Sequence, residues 1–256
     1  MVFKLFNKKE KQPKRDYQYL TNELEKETEK LIYELETNGI RFLINKMSCD
    51  EDYSGLIAER RKISMSFSSE DSVSWYAYRQ SDKLNAPSDK PELLQLLSDP
   101  EYTGLKKYIY CCLSSLCSNT NDRDLFNFLI EKIQEEDDES TIVSILSRLR
   151  DIKKDSTYNI EPIKKLVLED TYQVSHAAIN ALSFATDHEV EDLLLNEFKI
   201  ADRHMQGMIC GPLGTIATLK SIPALKEVHK KTRDHFLRSV IERAIYEIEL
   251  TEKRHQ

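Results

Sequence analysis

The chain carries, at positions 234–248, the stretch DHFLRSVIERAIYEI, in which an aspartate is followed by apolar residues at helical spacing. Counted from Asp234, the offsets 3, 4, 7, 10, 11 and 14 hold Leu237, Arg238, Ile241, Ala244, Ile245 and Ile248. Spacings of three and four residues put side chains on one face of an α-helix, and aspartate is a favoured N-cap residue. The stretch therefore predicts a helix that begins after Asp234 and buries one face.

The same pattern recurs four times earlier in the chain, which makes it a repeat. The copies start at Tyr102, Asp138, Thr171 and Asp202, so that the five starts are 36, 33, 31 and 32 residues apart. A shorter apolar stretch precedes each copy, at 91–97, 124–133, 162–168, 190–198 and 223–229. A period of this length is typical of stacked helical hairpins. We therefore predict five hairpins, with the shorter stretch as the first helix and the longer stripe as the second.

Composition agrees with an all-α chain. The 256 residues are 40% hydrophobic, which is enough to bury a continuous core. The 6 glycines and 7 prolines are few for this length, which favours helices over a sandwich with many turns.

Four regions follow from the pattern. Residues 1–15 are predicted to be a basic, flexible tail, and residues 16–87 a helical N-terminal cap region that breaks at Asn38 and Gly39. The polar, proline-containing stretch 81–91 is the best boundary, residues 88–250 hold the five repeats, and residues 251–256 form a C-terminal tail. Ser68 with Asp71 resembles a capping box.

The repeat resembles the HEAT-like repeat in its short bacterial form. The resemblance rests on Asp234, Leu237 and Arg238 with Ala244 and Ile245, and on the Leu-Gly-Thr-Ile ending at 213–216; it covers about residues 88–250. Two of the five copies lack the leading aspartate, and four lack the arginine at offset 4. The resemblance implies a right-handed α-solenoid of helical hairpins with an irregular helical N-terminal region. It also implies that the second helices line a concave surface, and that binding is a commoner role than catalysis.

Candidate binding residues come from one stripe of the second helices. Gly207, Gly211 and Gly214 stand at offsets 5, 9 and 12 of one copy, on a single helix face. With residues at the same offsets in the other copies, the predicted concave-face residues are Lys107, Ser114, Ser147, Arg150, His176, Asn180, Ser183, Gly207, Gly211, Gly214, Arg243 and Tyr246. The glycines fit two interpretations: a partner segment lies over them, or they allow close helix packing beside a kink at Pro212.

The motifs predict no catalytic residue, no metal site and no cofactor. The chain lacks HExxH, GxSxG, P-loop and GxGxxG patterns.

A di-iron hydroxylase of this scaffold would need several His-Glu pairs, and only His188 with Glu189 is present. A glycosylase for alkylated DNA would need a basic, aromatic groove, but Trp75 lies outside the repeats. A basic cluster does occur at Lys230, Lys231, Arg233, Arg238 and Arg243. Bilin lyases, a third enzyme class on this scaffold, stay open.

Charge and cysteine usage bear on partners and location. The net charge of -7 argues against nucleic-acid binding. The acidic run at 135–139 either docks a basic partner or is a solvated turn whose Asp138 caps the next helix.

An odd number of cysteines without a CxxC pair favours reduced thiols, and the chain has no long apolar span, so we expect the protein to be in the cytoplasm. The tip Val2–Phe6 with its basic following run is a weak membrane signal.

Taken together, the sequence predicts a non-catalytic protein-binding or scaffold module that uses the concave face. An immunity or inhibitor protein against a basic toxin is one form of this function. The alternative is an enzyme on the same scaffold, such as the glycosylase-like or hydroxylase-like classes above. The partner, expected to be another protein or a peptide segment, and the oligomeric state stay open.

Overall fold

The computed structural model describes residues 17–64, 68–168 and 171–255. Every regular element in these ranges is helical, which confirms the all-α prediction. Two isolated bridges, Asp52 with Ser72 and Lys154 with Ala185, are the β-type pairings within the same ranges. The chain divides into two compact units, Met1–Gln80 and Ser81–Gln256.

The first unit contains α1 (Tyr17–Thr37), α2 (Gly39–Met47), α3 (Leu56–Ser64) and most of α4 (Val73–Ser81). The predicted break between the first two helices occurs at Gly39, whose φ of +80° is a left-handed conformation that glycine adopts without steric cost. The apolar stripe of α1 is buried, at Leu20, Leu24, Leu31 and Leu35.

A cluster of ion pairs joins α3 to the segments on either side of it in this unit. The buried carboxylate of Asp71 binds the guanidinium groups of Arg60 and Arg61, and Arg61 also binds Asp52 at 2.6 Å. Ser68 accepts a hydrogen bond from the backbone N–H of Glu70 at 3.3 Å, at the start of a short 3₁₀ turn. The capping-box interpretation therefore fails for Asp71, because its carboxylate binds arginines and not the Ser68 backbone.

The second unit contains five hairpins, at the positions that the repeat predicts. The first helices are α5 (Lys90–Leu97), α7 (Arg123–Glu135), α9 (Glu161–Leu166), α11 (His188–Ile200) and α13 (Ile222–Lys231). The second helices are α6 (Lys106–Thr120), α8 (Glu139–Leu146), α10 (Tyr172–Ala181), α12 (Arg203–Ile216) and α14 (His235–His255).

The hairpins stack in sequence order. Each first helix packs on the second helix of its own hairpin, and consecutive second helices pack on one another, from α6 through α8, α10 and α12 to α14. The first helices form a second row, in which α7 contacts α9 and α11 contacts α13. The second helices therefore form a continuous layer with one side on the first helices and the other side free of them.

Aspartate caps start three of the second helices. Asp138 accepts from the N–H of Thr141 at 3.0 Å, Asp202 from Met205 at 2.8 Å, and Asp234 from Leu237 at 3.0 Å. Such a bond satisfies an N–H group that has no partner inside the helix. Thr171 differs, because its hydroxyl donates to Glu139 at 2.9 Å and makes no cap bond.

Two boundaries differ from the sequence pattern. The copy that starts at Tyr102 opens with a 3₁₀ segment, Pro100–Leu105, and its α-helix begins at Lys106. At the other end, α14 continues to His255, so residues 251–255 are helical where a tail was predicted. The predicted basic tail, 1–15, lies outside the described residues. In the described ranges, each helix is too short or too polar to cross a membrane.

Candidate functional site

The candidate site is the solvent side of the second helices α8, α10, α12 and α14, here called the second-helix face. The structure leaves the following predicted residues exposed: Ser147, Arg150, Gly211, Arg243 and Tyr246. Three more are half-buried: Lys107, His176 and Asn180. The remaining four are buried: Ser114, Ser183, Gly207 and Gly214. Eight members of the predicted set are therefore accessible to solvent at least in part, and four are buried.

The two serines belong to the interior. Ser114 is fully buried on α6, where each residue from Ile109 to Cys117 is buried, and its hydroxyl has no hydrogen-bond partner in the described residues. Ser183 follows α10, and its carbonyl accepts from Lys154 Nζ at 2.9 Å. Neither side chain is accessible to a partner, because α6 and the segment after α10 are covered on the side where these serines lie.

The glycine stripe divides between packing and exposure. A Cβ on Gly214 would lie 3.5 Å from Ala244 Cα, and one on Gly207 would lie 3.4 Å from the Phe236 ring. Both glycines therefore stand at the contact of α12 with α14, where an added Cβ would make ordinary van der Waals contacts. Gly211 is exposed, with nothing near its Cβ position. Because Gly211 precedes Pro212 inside a helix, its lack of a Cβ also avoids the clash that proline imposes on the residue before it.

An aromatic and imidazole cluster joins α10 to α12 on the second-helix face. Tyr172 stacks on His176 with ring centroids 6.2 Å apart, and it lies 5.6 Å from the ring of His204. Asn180, one turn further along α10, contacts the other edge of His176. The sequence indicated His176 and Asn180 but missed the contact of Tyr172 with His204, which joins residues of different repeats.

The hydrogen bonds of Asn180 fix the state of His176. Its amide Nδ2 donates to the His176 carbonyl at 3.1 Å and lies 2.8 Å from His176 Nε2. Since Nδ2 can only donate, Nε2 is the acceptor, which leaves the imidazole proton on Nδ1 and the ring neutral. Burial lowers the pKa of His176, and the nearby His204 lowers it further. Contact geometry and electrostatics therefore agree on an uncharged ring.

Formal charge is scarce on the second helices in the middle of the stack. Helix α10 contains no Asp, Glu, Lys or Arg; α12 contains one such residue, Arg203, and α8 contains one, Glu139. The neighbouring first helix α11 alone carries Glu189, Glu191, Asp192, Glu197 and Lys199. The middle second helices α8, α10 and α12 are therefore poor in charge, whereas α11 and the terminal helix α14 are rich in it.

The terminal helix adds two exposed aromatic side chains to the face. Phe236 is 63% exposed and Tyr246 is 61% exposed. Phe236 touches the α12 side of the contact at Gly207, and Arg243 lies between the two aromatics along α14. Phe236 was not in the predicted set, although its position two residues after the cap of the last copy was visible in the repeat.

One group of carboxylates could hold a metal ion by its spacing, but an ammonium occupies it. Glu161, Asp187 and Glu189 converge within ligand distance of one another. Lys164 Nζ binds all three, at 2.7, 2.6 and 3.0 Å respectively. The Lys164 ammonium and the start of α11 use these carboxylates, since Asp187 also caps that helix through the N–H of Glu189. The adjacent His188 is exposed and outside the group.

The cysteines are free thiols, and those of the second unit are buried. Burial raises the pKa of Cys111 to about 11, and of Cys117 and Cys210 to about 12; it also raises that of Cys112. Since the thiolate is the reactive form, these thiols are inert at neutral pH. They serve as small apolar side chains, as the pattern on α6 predicted.

A buried lysine, Lys154, joins two of the connections between hairpins. The Lys154 ammonium donates to the carbonyl groups of Ile152 at 2.6 Å, Ser183 at 2.9 Å and Arg150 at 3.3 Å. Burial lowers its pKa to about 7. Its backbone pairs with the segment Phe184–Thr186, in which Phe184 has a φ of +59°. The long connection after α8 is thus fixed to the connection after α10.

Comparisons with family models, with curated proteins and with solved structures gave no match to this chain.

Proposed function

We propose that this protein is a non-catalytic protein-binding module, and that the second-helix face is its recognition surface. The hairpin stack would be a right-handed, HEAT-like α-solenoid with this face on its concave side, and the protein would act in the cytoplasm. An immunity or inhibitor protein is one form that such a binder takes.

The observation that carries the proposal is the scarcity of charge on α8, α10 and α12, together with exposed aromatic rings on α10 and on the adjoining α14. Cores of protein interfaces are depleted of charged residues and enriched in Tyr, Phe, Met and Arg. The exposed or half-exposed residues that fit this description are Tyr172, Met208, Phe236, Arg243 and Tyr246. A solvated helix face of a chain with 32% charged residues would instead carry acids and lysines, as α11 does.

The same face offers hydrogen bonds without charge. His176 in its neutral form and Asn180 present polar groups beside the Tyr172 ring. A partner segment that buries apolar side chains on the rings while its backbone or polar groups bind these side chains suits this arrangement. Aromatic side chains and arginine are typical hot-spot residues of such a surface.

Affinity capture with matched variants tests the proposal. The full chain and the double variant Phe236→Ala with Tyr246→Ala are each immobilised and exposed to extract, and bound proteins are quantified. We expect a stoichiometric partner on the unmodified chain and a loss of roughly tenfold or more on the variant, as for the loss of interface aromatics.

The control is Ile200→Ala with Leu219→Ala, which removes side chains that are 78% and 48% exposed but lie outside the second helices. It should keep the partner. Equal loss with both variants, or equal retention, contradicts the assignment of the surface. Unfolding temperatures of all three proteins separate loss of binding from loss of structure.

A further inference from the structure

A groove between the second and third hairpins combines an apolar floor with an acidic rim. It has a volume of about 480 Å³ and opens beside the turn that joins α7 to α8. The floor consists of Ile133, Ile142, Pro162, Leu166 and Val174. The rim on the turn side carries Glu136, Asp137 and Glu139, and Lys165 is the one basic residue of the lining.

The carboxylates of this turn are used unequally by the fold. Asp138 caps α8, and Glu135 pairs with Lys132 at 2.5 Å. Glu136 accepts a hydrogen bond from the Tyr110 hydroxyl at 3.3 Å, and Glu139 accepts one from Thr171. Across residues 17–64, 68–168 and 171–255, neither Glu136, Asp137 nor Glu139 forms an ion pair.

Crowding unpaired acids has an electrostatic cost. Five consecutive acidic residues repel one another, and helix capping requires only Asp138. Asp137 is exposed and makes no contact that the fold requires, and the fold uses the half-buried Glu136 only as the acceptor for the Tyr110 hydroxyl. An occupant that brings cations to the rim would relieve this repulsion, and one that brings apolar side chains would cover the floor.

We propose that this groove docks a basic, amphipathic peptide segment of a partner protein. Its lysine or arginine side chains bind Glu136, Asp137 and Glu139, and its apolar side chains lie on the floor formed by Ile142, Leu166 and Val174. The charge arrangement orients the segment, with its cations towards the turn and away from Lys165. The net charge of -7 on the chain attracts such a segment from a distance. The groove shares α8 and α10 with the second-helix face, but neither Phe236 nor Tyr246 lines it, so the two surfaces can be tested separately.

Fluorescence anisotropy with defined peptides tests the proposal on the full chain. The probe is a fluorescein-labelled peptide with leucines on one helical face and lysines on the other. Its first twin replaces each lysine with glutamate, and its second twin replaces each leucine with serine. We expect saturable binding of the probe that weakens as salt increases, no binding of the glutamate twin, and binding of the serine twin weaker by roughly tenfold.

Charge reversal locates the site. Glu136→Lys with Asp137→Lys should weaken probe binding by roughly tenfold or more. The matched control is Glu101→Lys with Asp124→Lys, which makes the same change in net charge at exposed positions outside the groove. The control should stay within about twofold of the unmodified chain in affinity, and so should Phe236→Ala with Tyr246→Ala.

Equal weakening by both charge reversals, equal binding of the serine twin, or binding of the glutamate twin would overturn the proposal. Loss of probe binding with Phe236→Ala and Tyr246→Ala also overturns it, because the peptide would then occupy the second-helix face. Circular dichroism of each variant confirms that the helical fold is retained.

Discussion

His176 combines two features that make it sensitive to pH: a hydrogen bond that requires a neutral ring, and a second histidine nearby. Protonation at Nε2 would set this N–H against the Asn180 amide donor, and a charged His204 would add repulsion. Tyr172 and His204 face His176 from α10 and α12, and Asp202 acts on Tyr172. The packed α8 carries no charged residue beyond Glu139.

This environment predicts a stability change in mild acid. Because burial and His204 lower the pKa of His176 in the folded chain, the unfolded chain binds the proton first as pH falls. The contribution of His176 to stability is therefore complete above a pH of about 6.5 and declines as pH falls through its folded pKa. Unfolding temperatures of the protein and of His176→Gln, compared from about pH 7.5 to pH 5, should converge towards acid.

A direct titration checks the cause. Nuclear magnetic resonance should give a pKa for His176 below its ordinary value, and His204→Asn should raise it, because the electrostatic effect of His204 on His176 is removed. Burial is the larger cause, so the pKa should rise only part of the way to its ordinary value. A His176 that titrates at or above its ordinary pKa would contradict the neutral, amide-bound ring.

Lys154 predicts a large effect from a single substitution. Lys154→Met keeps much of the apolar stem but leaves the carbonyl groups of Ile152 and Ser183 without their donor in a buried place. We expect a loss of roughly 1–3 kcal/mol in the free energy of unfolding, measured by urea denaturation. Lys153→Met is the control, because Lys153 is exposed, and it should change stability by less than about 0.5 kcal/mol.

The sequence could indicate some of these residues but not others. His176 and Asn180 lie one turn apart on a predicted helix, so their proximity follows from spacing alone. Lys154 gave no signal, because its burial depends on Ser183, which is 29 positions away and lies in another repeat. Tyr172 and His204 meet for the same reason, through the packing of consecutive second helices.

The contact of α12 with α14 predicts opposite outcomes at two glycines. Gly207→Ala should stabilise the protein by about 0.5–1 kcal/mol, because alanine is the better helix residue and its Cβ would lie at ordinary contact distances from Phe236, 3.4 Å, and Val240, 4.0 Å. Gly214→Leu should destabilise it by roughly 1–3 kcal/mol, since the added atoms would press on the backbone of Ala244. Thermal unfolding measures both, and destabilisation of similar size in both variants would contradict this geometry.

At the scale of helices, local signals determined the starts better than the ends. Asp138, Asp202 and Asp234 each make the cap bond that their position before an apolar stripe predicts. The sequence does not indicate where α14 ends, because no glycine or proline follows Leu250. Asp71 was assigned to a cap, but the approach of Arg60 and Arg61 decides its role.

For the whole molecule, repeat spacing predicted which helices follow one another, and the structure adds how they meet. The repeat period of 31–36 residues predicts that the second helices of consecutive hairpins form one layer. The period does not predict that Ser114 and Ser183 are buried, because helical spacing identifies a face and not what covers it. The sequence already shows few charged residues in α10 and α12. The structure adds that α11 and α13 lie in a separate row, so that their charges do not cover α10 and α12.

The central structural claim is that second helices of consecutive hairpins lie against one another, and engineered cross-linking tests it most directly. A Cβ at position 214 would lie 3.6 Å from Glu247 Cβ, which is within the range for a disulfide. Under mild oxidation, Gly214→Cys with Glu247→Cys should form this bond, as identified by mass spectrometry of peptides. Gly211→Cys with Glu247→Cys should not, because nothing lies within 4 Å of the Cβ position at 211. A bond of equal yield in both variants, or none at 214 and 247, would contradict the stacked arrangement.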